Sequence, residues 1–425
     1  MANLSRPIED LIQPKPDDGV IAKADAVIVG SGYGGAVAAV RLAGKDRRVL
    51  VLERGKEYGP GDFPYDENDL PAHLRIVQEQ TDGSAMGYSD ALFNLYPGGQ
   101  TDTLVGSGLG GTSLINANVA EAPEPHVFKK AGWPRQFSNS DDPLRDEFLQ
   151  IKRLLSVGPH EEAASLTKYQ ALQKLSNALN QHTTSATLKP ANIAVSFNDG
   201  PNAVGVKQFA CSDCGNCVTG CNIGAKNTLD RNLLPLAKAR GAEIYTGVTV
   251  LSIQQNKKQN SQQEKTPTKR YIITVKATVQ IHGTIRAKSY EIHTDNIVLS
   301  AGTLGSTEIL LRSQQLKLMD FSKKLGERFS TNGDGLIMSY GHDSEVGGIA
   351  GAEQNNPTIK PGPTITGLSR VVSENPASQD THLTIEDAAI PASISRFFKE
   401  AVVTSAMIQR LTNRKVPKFI KAKGI

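Results

Sequence analysis

The stretch that decides the fold is Ala26-Val-Ile-Val-Gly30-Ser-Gly32-Tyr-Gly34-Gly35-Ala-Val37, and it is followed by Val49-Leu-Val-Leu-Glu53-Arg54-Gly55. The apolar residues 24–29 predict a buried strand, and a helical pattern over residues 34–42 begins after only four intervening residues. So sharp a turn from strand to helix is typical of the unit that binds an adenine dinucleotide.

Each glycine of this turn has its own predicted role. Gly30 adopts the backbone angles of the turn, Gly32 lets the main chain approach a pyrophosphate, and Gly35 lets the helix pack closely against the strand. The phosphates would lie at the helix N-terminus, where unpaired N–H groups and the helix dipole favour an anion. A second strand, residues 48–52, ends at Glu53, which is placed to accept hydrogen bonds from the ribose hydroxyls. The alternative is that Glu53 is a surface ion-pair partner.

Length and composition exclude several classes of protein. The 425 residues suffice for about two or three domains, with 39% hydrophobic residues to form the cores. The chain has no apolar run long enough to cross a membrane, and residues 1–20 are not a secretory signal, so we expect a cytoplasmic protein. The net charge of +4 is dispersed, which argues against nucleic acid as a partner. Residues 409–425 form a basic tail, which is either a solvated end or a weak contact with an anionic membrane surface.

Further segments indicate how the chain is organised. Residues 58–100 are rich in Gly, Pro and Asp and predict an extended excursion. A second glycine cluster follows at residues 106–119, where the backbone must again approach a flat or charged group. Helical spacing of apolar residues predicts helices over residues 144–155 and 166–179.

The pattern changes to strands between residues 243 and 302. The predicted strands are residues 244–246, 250–254, 271–281, 285–292 and 297–300, with a flexible polar loop at 254–270. After the last strand, Ala301, Gly302 and a helical run at 306–311 form another unit of strand, glycine and helix start. This unit again indicates a dinucleotide-binding fold.

Together the motifs resemble those of the glucose-methanol-choline (GMC) oxidoreductases, and within that family the bacterial cholesterol-oxidase-like branch. The resemblance covers nearly the whole chain. It rests on Val29-Gly-Ser-Gly-Tyr-Gly-Gly-Ala-Val-Ala-Ala39, Leu52-Glu-Arg-Gly55, Gly108-Leu-Gly-Gly-Thr-Ser-Leu-Ile-Asn116, Gly224-Ala-Lys-Asn-Thr-Leu-Asp230, Ser300-Ala-Gly-Thr-Leu-Gly-Ser306 and Thr331-Asn-Gly-Asp334.

The resemblance implies an α/β fold with two parts. The first is an FAD-binding domain, with a Rossmann-like parallel sheet and a β-meander, formed by residues 1–140 and 225–335. The second is a partial α+β substrate domain with an antiparallel sheet, formed by residues 141–224 and 336–425. A cysteine-rich loop, residues 211–221, belongs to this second domain.

The resemblance also implies FAD as cofactor and a small-molecule alcohol or sterol as hydride donor, with a base that removes the hydroxyl proton. Residues 110–118 would line the flavin ring. The backbone of Val250 would meet the adenine, whereas its side chain is equally well explained as strand core. The candidate cofactor-binding residues are Gly30, Gly32, Tyr33, Gly34, Gly35, Glu53, Arg54, Gly110, Gly111, Thr112, Ser113, Asn116, Asn118, Val250, Ala301 and Gly302.

The chain departs from the family pattern near its C-terminus. The family places its catalytic histidine there in a His-Pro-Leu-Gly context, and none of the histidines here has that context, so no catalytic residue is assigned. Each is expected at the surface or in a loop; they are His73, His126, His160, His182, His282, His293, His342 and His382. Residues 384–392 resemble the start of a substrate-domain section, so we expect a truncated member. Either the gene is split or frameshifted, a second chain supplies the rest, or the chain binds FAD poorly and does no chemistry.

A second departure concerns the substrate. Aligned through Glu386 and Pro391, Ser395 stands where cholesterol oxidases carry the glutamate that shifts the steroid double bond. A serine has no carboxylate to move that proton, so steroid isomerase activity is not expected. The substrate would then be another sterol or a long-chain alcohol.

The four cysteines form a C-x2-C-x2-C-x3-C run, Cys211, Cys214, Cys217 and Cys221, which resembles the ligand pattern of bacterial ferredoxins. Against an iron–sulfur site, the fourth cysteine of that pattern normally serves a second cluster, and Asn222 stands where ferredoxins have proline. Reduced structural thiols or a labile disulfide remain alternatives, and no metal ligand is assigned.

These observations support three functional hypotheses. The leading one is an FAD-dependent oxidoreductase acting on the CH–OH group of a sterol or long-chain alcohol, inactive as this chain if the catalytic segment is missing. The alternatives are a non-catalytic FAD-binding remnant or subunit, and an electron-transfer protein that uses the cysteine run.

Overall fold

The computed structural model describes residues 3–12, 19–77, 85–98, 101–140, 142–181, 184–256, 269–281, 284–339, 344–351, 359–373 and 382–400. The strands are β1 (Arg6–Pro7), β2 (Val20–Val29), β3 (Val49–Leu52), β4 (Leu74–Val77), β5 (Ala85–Met86), β6 (Phe93–Tyr96), β7 (Thr103–Gly106), β8 (Thr184–Pro190), β9 (Gly200–Pro201), β10 (Lys207–Gln208), β11 (Glu243–Thr246), β12 (Val248–Gln255), β13 (Tyr271–Ile281), β14 (Thr284–Leu299), β15 (Gly367–Ser373) and β16 (His382–Glu386).

The helices are α1 (Glu9–Ile12), α2 (Tyr33–Leu42), α3 (Leu70–His73), α4 (Pro125–Lys129), α5 (Arg135–Ser138), α6 (Arg145–Leu154), α7 (Thr167–Leu179), α8 (Leu233–Ala239) and α9 (Gly302–Gln315). Short 3-10 helices span Gly111–Leu114, Ala163–Ser165, Cys217–Thr219 and Leu229–Arg231. Residues 392–400 are also helical.

The chain forms two compact units. The first unit comprises Met1–Gly59, Ala72–Leu114 and Thr228–Gly333, and the second comprises Pro60–Pro71, Ile115–Asn227 and Asp334–Ile425. These boundaries differ from the predicted domains, because residues 60–71 and 115–140 fall in the second unit. One cause is local pairing: Val119 forms a bridge with Ile193, and the Ala120 N–H donates to the carbonyl of Asn192 at 2.8 Å.

The first unit contains a seven-stranded sheet in the order β1-β11-β3-β2-β14-β13-β12. The first five strands in this order, β1, β11, β3, β2 and β14, pair in parallel. The last three, β14, β13 and β12, pair antiparallel as a meander. The predicted parallel sheet and the predicted meander are thus parts of one sheet, which confirms the α/β fold class.

The strand β14 joins these two parts of the sheet. Its early residues pair with β13, and its later residues pair in parallel with β2 from Glu291 onward. The sequence predicted two strands here, because His293-Thr-Asp-Asn296 is polar. Thr294 is nevertheless fully buried, and its hydroxyl donates to the carbonyl of Asn296 at 3.0 Å, so the strand continues through this segment.

A smaller sheet in the first unit is ordered β5-β4-β6-β7, and its strands β4, β5 and β6 lie in residues 58–100, which were predicted to be an extended excursion. Its strands are only two to four residues long. Strands this short do not produce a sustained alternation in the sequence. The prediction of an extended excursion was therefore wrong for these residues.

The second unit contains a three-stranded antiparallel sheet in the order β16-β15-β8. Helix α7 packs on this sheet, with Tyr169 and Leu172 buried beneath it. The ring of Tyr169 lies against Gly367, where an added Cβ atom would come within 2.5 Å of the ring. The predicted antiparallel sheet with a packed helix is found in this unit.

Candidate functional site

The carboxyl ends of three neighbouring parallel strands meet at one edge of the seven-stranded sheet. Gly30 follows β2, Glu53 follows β3 and Ser300 follows β14. The Ser300 hydroxyl donates to the carbonyl oxygens of Val29 and Gly30, at 2.9 and 3.0 Å. Because β2 connects to β3 on one side and pairs with the later strand β14 on the other, its end is the point where ligands bind in open α/β sheets.

Two glycines let helix α2 start directly on the end of β2. Gly30 has φ +92°, and a Cβ atom there would lie 2.5 Å from the Ser300 carbonyl oxygen. A Cβ atom at Gly35 would overlap the Gly30 carbonyl oxygen and lie 2.7 Å from the Ser300 hydroxyl. Both positions therefore require glycine for packing, whether or not a ligand binds.

Gly32 differs from these two glycines. It is the N-cap of α2, with φ −64°, and no side chain caps the helix. A Cβ atom at Gly32 would meet no other atom within 4 Å. The first N–H groups of a helix have no partner within the helix, so this end of α2 offers donors and the positive end of the dipole to an anion.

Two further candidate residues, Tyr33 and Gly34, form the first turn of α2. The Tyr33 side chain is exposed, and a Cβ atom at Gly34 would make only an ordinary contact with the Ser300 side chain, at 3.7 Å. Both residues therefore lie beside the open end of the helix.

Glu53 is buried, with 7% of its surface exposed. Its carboxylate accepts hydrogen bonds from the Ser31 N–H at 3.0 Å, the Ser31 hydroxyl at 2.6 Å and the Gly55 N–H at 2.9 Å. It is not a surface ion-pair partner, so that alternative is wrong. A carboxylate offers about four acceptor positions, so these bonds leave about one for a ribose hydroxyl.

The second glycine loop lies against the first. The Gly110 N–H donates to the Ser31 hydroxyl oxygen at 2.9 Å, and a Cβ atom at Gly111 would lie 2.9 Å from the Gly32 Cα. Gly110 and Gly111 have positive φ angles, +107° and +58°. At Gly32 and Gly111 the two loops approach each other through backbone atoms, and the Ser31 hydroxyl links Gly110 to Glu53. Thr112 is exposed on the 3-10 helix that begins at Gly111.

The side chain of Ser113 fixes this loop from inside. Its hydroxyl donates to the Gly110 carbonyl at 2.7 Å and accepts from the Leu229 N–H at 3.1 Å. Ser113 is therefore a support for the loop rather than a free contact group.

Asp230 is a residue of this region to which the sequence analysis assigned no role. Its Oδ1 lies 3.6 Å from the position that a Cβ atom of Gly110 would occupy. This oxygen is buried and has no hydrogen-bond partner among the described residues. Burial raises the pKa of the Asp230 carboxyl. The sequence feature that could have identified Asp230 is its position at the end of the motif Gly224-Ala-Lys-Asn-Thr-Leu-Asp230.

A pair of arginines converges on the buried side chain of Asn94. Its amide oxygen accepts from Arg54 at 3.4 Å and from Arg75 at 3.3 Å. Burial, and then the neighbouring Arg54 charge, lower the pKa of Arg75. Among the described residues, neither arginine forms an ion pair with a carboxylate, so the pair favours an anion. Arg75 and Asn94 were missed because they lie in the region predicted to be irregular.

The remaining candidates of the first unit lie at the sheet and at the start of α9. The Val250 side chain is in the hydrophobic core, so only its backbone is available to a ligand. A β-bulge follows it, between Val250 and Ser252. Ala301 packs partly against the same core, and Gly302, with φ +72°, begins α9.

Asn116 and Asn118 belong to the second unit. The Asn116 side chain accepts from the Asn118 N–H at 3.3 Å, and Asn118 has φ +70°. The Asn118 side chain is 2% exposed, yet neither of its amide atoms has a hydrogen-bond partner among the described residues. An unsatisfied buried amide is costly in a folded protein and marks a group that a bound molecule can satisfy.

Other predicted features of the second unit are placed as follows. The Ser395 hydroxyl donates to the Ala392 carbonyl at 2.9 Å within the final helical residues. His160 lies in a loop but is buried, with Nε2 3.1 Å from Asp213 Oδ1. His182, His282, His342 and the basic tail at residues 409–425 lie outside the described residues.

No helix in the described part of the chain combines the length and the apolar character needed to cross a membrane.

Comparisons with known proteins give the family and its relatives. A family profile described as GMC oxidoreductase matches residues 24–317. A cholesterol oxidase from Acinetobacter baumannii is 27% identical over 76% of this chain and 57% of its own length. A long-chain-alcohol oxidase from Arabidopsis thaliana is 26% identical over 83% of this chain and 44% of its own length. The crystal structure of pyridoxine 4-oxidase from Mesorbium loti matches at 19% identity over 67% of this chain and 51% of its own, with a TM-score of 0.39.

The chain thus spans about half the length of the curated relatives it matches. The profile covers more than half of this chain, including both glycine loops, Asp230 and the start of α9. The chain belongs to the GMC oxidoreductase family.

Proposed function

We propose that this chain binds FAD at the glycine loops of the first unit and oxidises the CH–OH group of a sterol or long-chain alcohol. Members of the family are FAD-binding flavoproteins. The curated relatives are named as cholesterol oxidases and long-chain-alcohol oxidases, which motivates the two substrate classes.

The observation that carries the proposal is the contact between Gly32 and Gly111. Two loops from distant parts of the sequence meet at these two glycines, beside the N-terminus of α2, which no side chain caps. A backbone surface of this kind lets a pyrophosphate come within hydrogen-bonding distance of several N–H groups. This is the fit expected for the phosphates of an adenine dinucleotide.

Several side chains of the first unit would complete the binding of the cofactor. The remaining acceptor position of Glu53 suits a ribose hydroxyl. The two arginines at Asn94 supply positive charge, and neither forms an ion pair with a carboxylate in the described part of the chain. Asp230 lies beside the Gly110 loop with a free acceptor oxygen, where it can orient a donor group.

In the second unit, the unsatisfied amide of Asn118 suits the polar edge of a flavin, as the family resemblance implies. When bound, FAD supplies the acceptor for the hydride that leaves the carbinol carbon. The chain contributes binding and orientation.

The proposal predicts a ketone product without isomerisation when the substrate is a sterol. Ser395 offers a hydroxyl that already donates within its own helix, and no carboxylate is present at this position to move a carbon-bound proton.

The test is anaerobic reduction of the flavin. The purified full chain, loaded with FAD, is mixed without oxygen with cholesterol or with a long-chain primary alcohol. The proposal predicts loss of the oxidised flavin absorbance with one of these substrates and none with a matched ester that lacks the hydroxyl. FAD binding without any bleaching would contradict the oxidoreductase assignment and favour a non-catalytic FAD-binding protein.

A further inference from the structure

The cysteine-rich loop of the second unit closes around a cavity. All four cysteines line it, together with neighbouring loop residues and with Val195, Ala225 and Lys226. None of the four is in a disulfide. The fourth cysteine, which the sequence pattern would assign to a second cluster, therefore faces the same space as the other three.

The backbone conformation of the loop explains why the thiols converge. Asp213, Gly215 and Gly220 have positive φ angles of +59°, +76° and +109°. The first two residues reverse the chain between Cys211 and Cys217, and Gly220 turns it immediately before Cys221. A left-handed backbone at the non-glycine Asp213 is uncommon, so its surroundings must hold it.

The loop is held by hydrogen bonds to its carbonyl groups. The carbonyls of residues 213, 215 and 217 accept hydrogen bonds from the Gly362 N–H at 3.1 Å, the Thr364 hydroxyl at 3.2 Å and the Lys226 ammonium at 2.9 Å. These bonds fix three carbonyl groups of the loop, and all four cysteines line the cavity.

A buried histidine fixes the loop at Asp213. The Nδ1 atom of His160 accepts from the Glu162 N–H at 3.0 Å, so in the neutral imidazole the proton is on Nε2. This Nε2 atom lies 3.1 Å from the Asp213 carboxylate and donates to it. The strained residue is thus held by its side chain and by its carbonyl.

The sulfur atoms already receive hydrogen bonds from the loop. The Asp213 N–H donates to Cys211 Sγ at 3.4 Å, and the Asn216 N–H and Ser212 hydroxyl donate to Cys214 Sγ. In both cases the backbone donor is two residues after the cysteine. Hydrogen bonds to the sulfurs are among the features that set the reduction potentials of iron–sulfur clusters.

The charge around the loop is suited to a negatively charged group. Lys168 and Lys226 are each only 3% exposed, and both ammonium groups lie beside the loop. Lys168 lies 3.9 Å from the buried Asp387 carboxylate and also interacts with the Asp213 carboxylate of the loop. A four-iron cluster with four thiolates carries about two negative charges, which these cations would partly offset.

The sulfur positions do not match a preformed tetrahedral zinc site. Zinc bound tetrahedrally at about 2.3 Å brings its sulfur ligands within about 3.8 Å of one another. Among the described residues, no three of the cysteine sulfurs lie within 4.8 Å of one another. A cube of iron and sulfide places its thiolates further apart than one ion does.

We propose that Cys211, Cys214, Cys217 and Cys221 together bind a single [4Fe–4S] cluster. The site goes beyond the proposed FAD chemistry, because its residues all belong to the cysteine-rich loop of the second unit.

The test uses the full chain purified without oxygen and without added FAD, so that flavin absorbance does not interfere. The chain is incubated with ferrous and ferric iron in equal amounts, sulfide and a thiol reductant, then desalted. The proposal predicts about four iron atoms and four acid-labile sulfides per chain, with an EPR signal after one-electron reduction. One zinc ion per chain without sulfide, or four reactive thiols with no metal retained, would overturn it.

Variants keep the test independent of folding. Cys214 is the exposed member of the set, so Cys214→Ala should leave the melting temperature of the metal-free chain unchanged while the iron and sulfide content falls. Ser212→Ala is the matched control. It should keep the full iron content and lower the reduction potential, because one hydrogen bond to sulfur is lost. Full cluster content in Cys214→Ala would contradict the four-cysteine site.

Discussion

Replacing Gly32 by alanine would separate cofactor binding from folding. Gly32 has φ −64°, which alanine adopts without strain, and the added methyl group would meet no other atom within 4 Å. The free energy of unfolding of the FAD-free chain should therefore change by less than about 1 kcal/mol.

The effect of Gly32→Ala on FAD binding should be much larger. The methyl group would stand in the open space at the start of α2, where we place the pyrophosphate. Loss of one hydrogen bond to a charged phosphate costs about 1.5–3 kcal/mol. The Kd for FAD should therefore rise by about 10- to 150-fold.

The assay is calorimetric titration of the FAD-free chain with FAD, paired with thermal unfolding in the absence of FAD. Gly35→Ala is the matched control, because its methyl group would overlap the Gly30 carbonyl oxygen. Overpacking of this kind costs about 1–3 kcal/mol, so Gly35→Ala should lower the melting temperature of the FAD-free chain. A Gly32→Ala variant that is stable and binds FAD as tightly as the wild type would refute the reasoning.

Three further predictions concern single residues. Asn118→Gly keeps the left-handed backbone and removes a side-chain amide that has no hydrogen-bond partner among the described residues. The affinity for FAD should therefore fall, while the melting temperature of the FAD-free chain stays within about 2 °C of the wild-type value. Unchanged affinity would exclude Asn118 from the site. Burial raises the folded pKa of Asp230 above its unfolded value of 3.8, so its contribution to stability is present below pH 3.8 and is lost as pH rises through the folded pKa. Asp230→Asn should therefore raise the melting temperature of the FAD-free chain at pH 7 and not near pH 4, and equal shifts at both would count against a destabilising charge on this buried carboxylate, whose Oδ1 has no hydrogen-bond partner among the described residues. If cholesterol is oxidised, chromatography of the product should show the unconjugated ketone, because the Ser395 hydroxyl does not replace a carboxylate as proton carrier. Accumulation of the conjugated isomer would contradict this inference from Ser395.

Much of the first unit could be predicted because its patterns are local. The strand, turn and helix at Gly30, Gly32 and Gly35 form a continuous segment, and the structure gives β2 and α2 there. β2 is longer than predicted because it extends along β14 as far as Val20. Pairing with a distant strand leaves no mark on the local sequence.

Features that depend on distant contacts could not be predicted. The meander was recognised, but its fusion with the parallel sheet depends on β14, whose polar segment at residues 293–296 suggested a break. The roles of Arg75 and Asn94 depend on a small sheet of very short strands.

The cysteine run shows the same limit in the second unit. Its spacing was recognised, but whether Cys221 faces the other three thiols depends on a positive φ angle at Gly220, and the spacing alone does not fix this angle. Outward hydrogen bonds from residues distant in sequence, at Gly362 and Thr364, then hold the loop.

The central claim is that the glycine loops of the first unit form an FAD site. The most direct measurement is the amount of FAD that the full chain retains in equilibrium dialysis, determined per mole of protein at saturating FAD. The account predicts one FAD per chain for the wild type and greatly reduced retention by Gly32→Ala at FAD concentrations near the wild-type Kd. A folded wild-type chain that retains no FAD would contradict it.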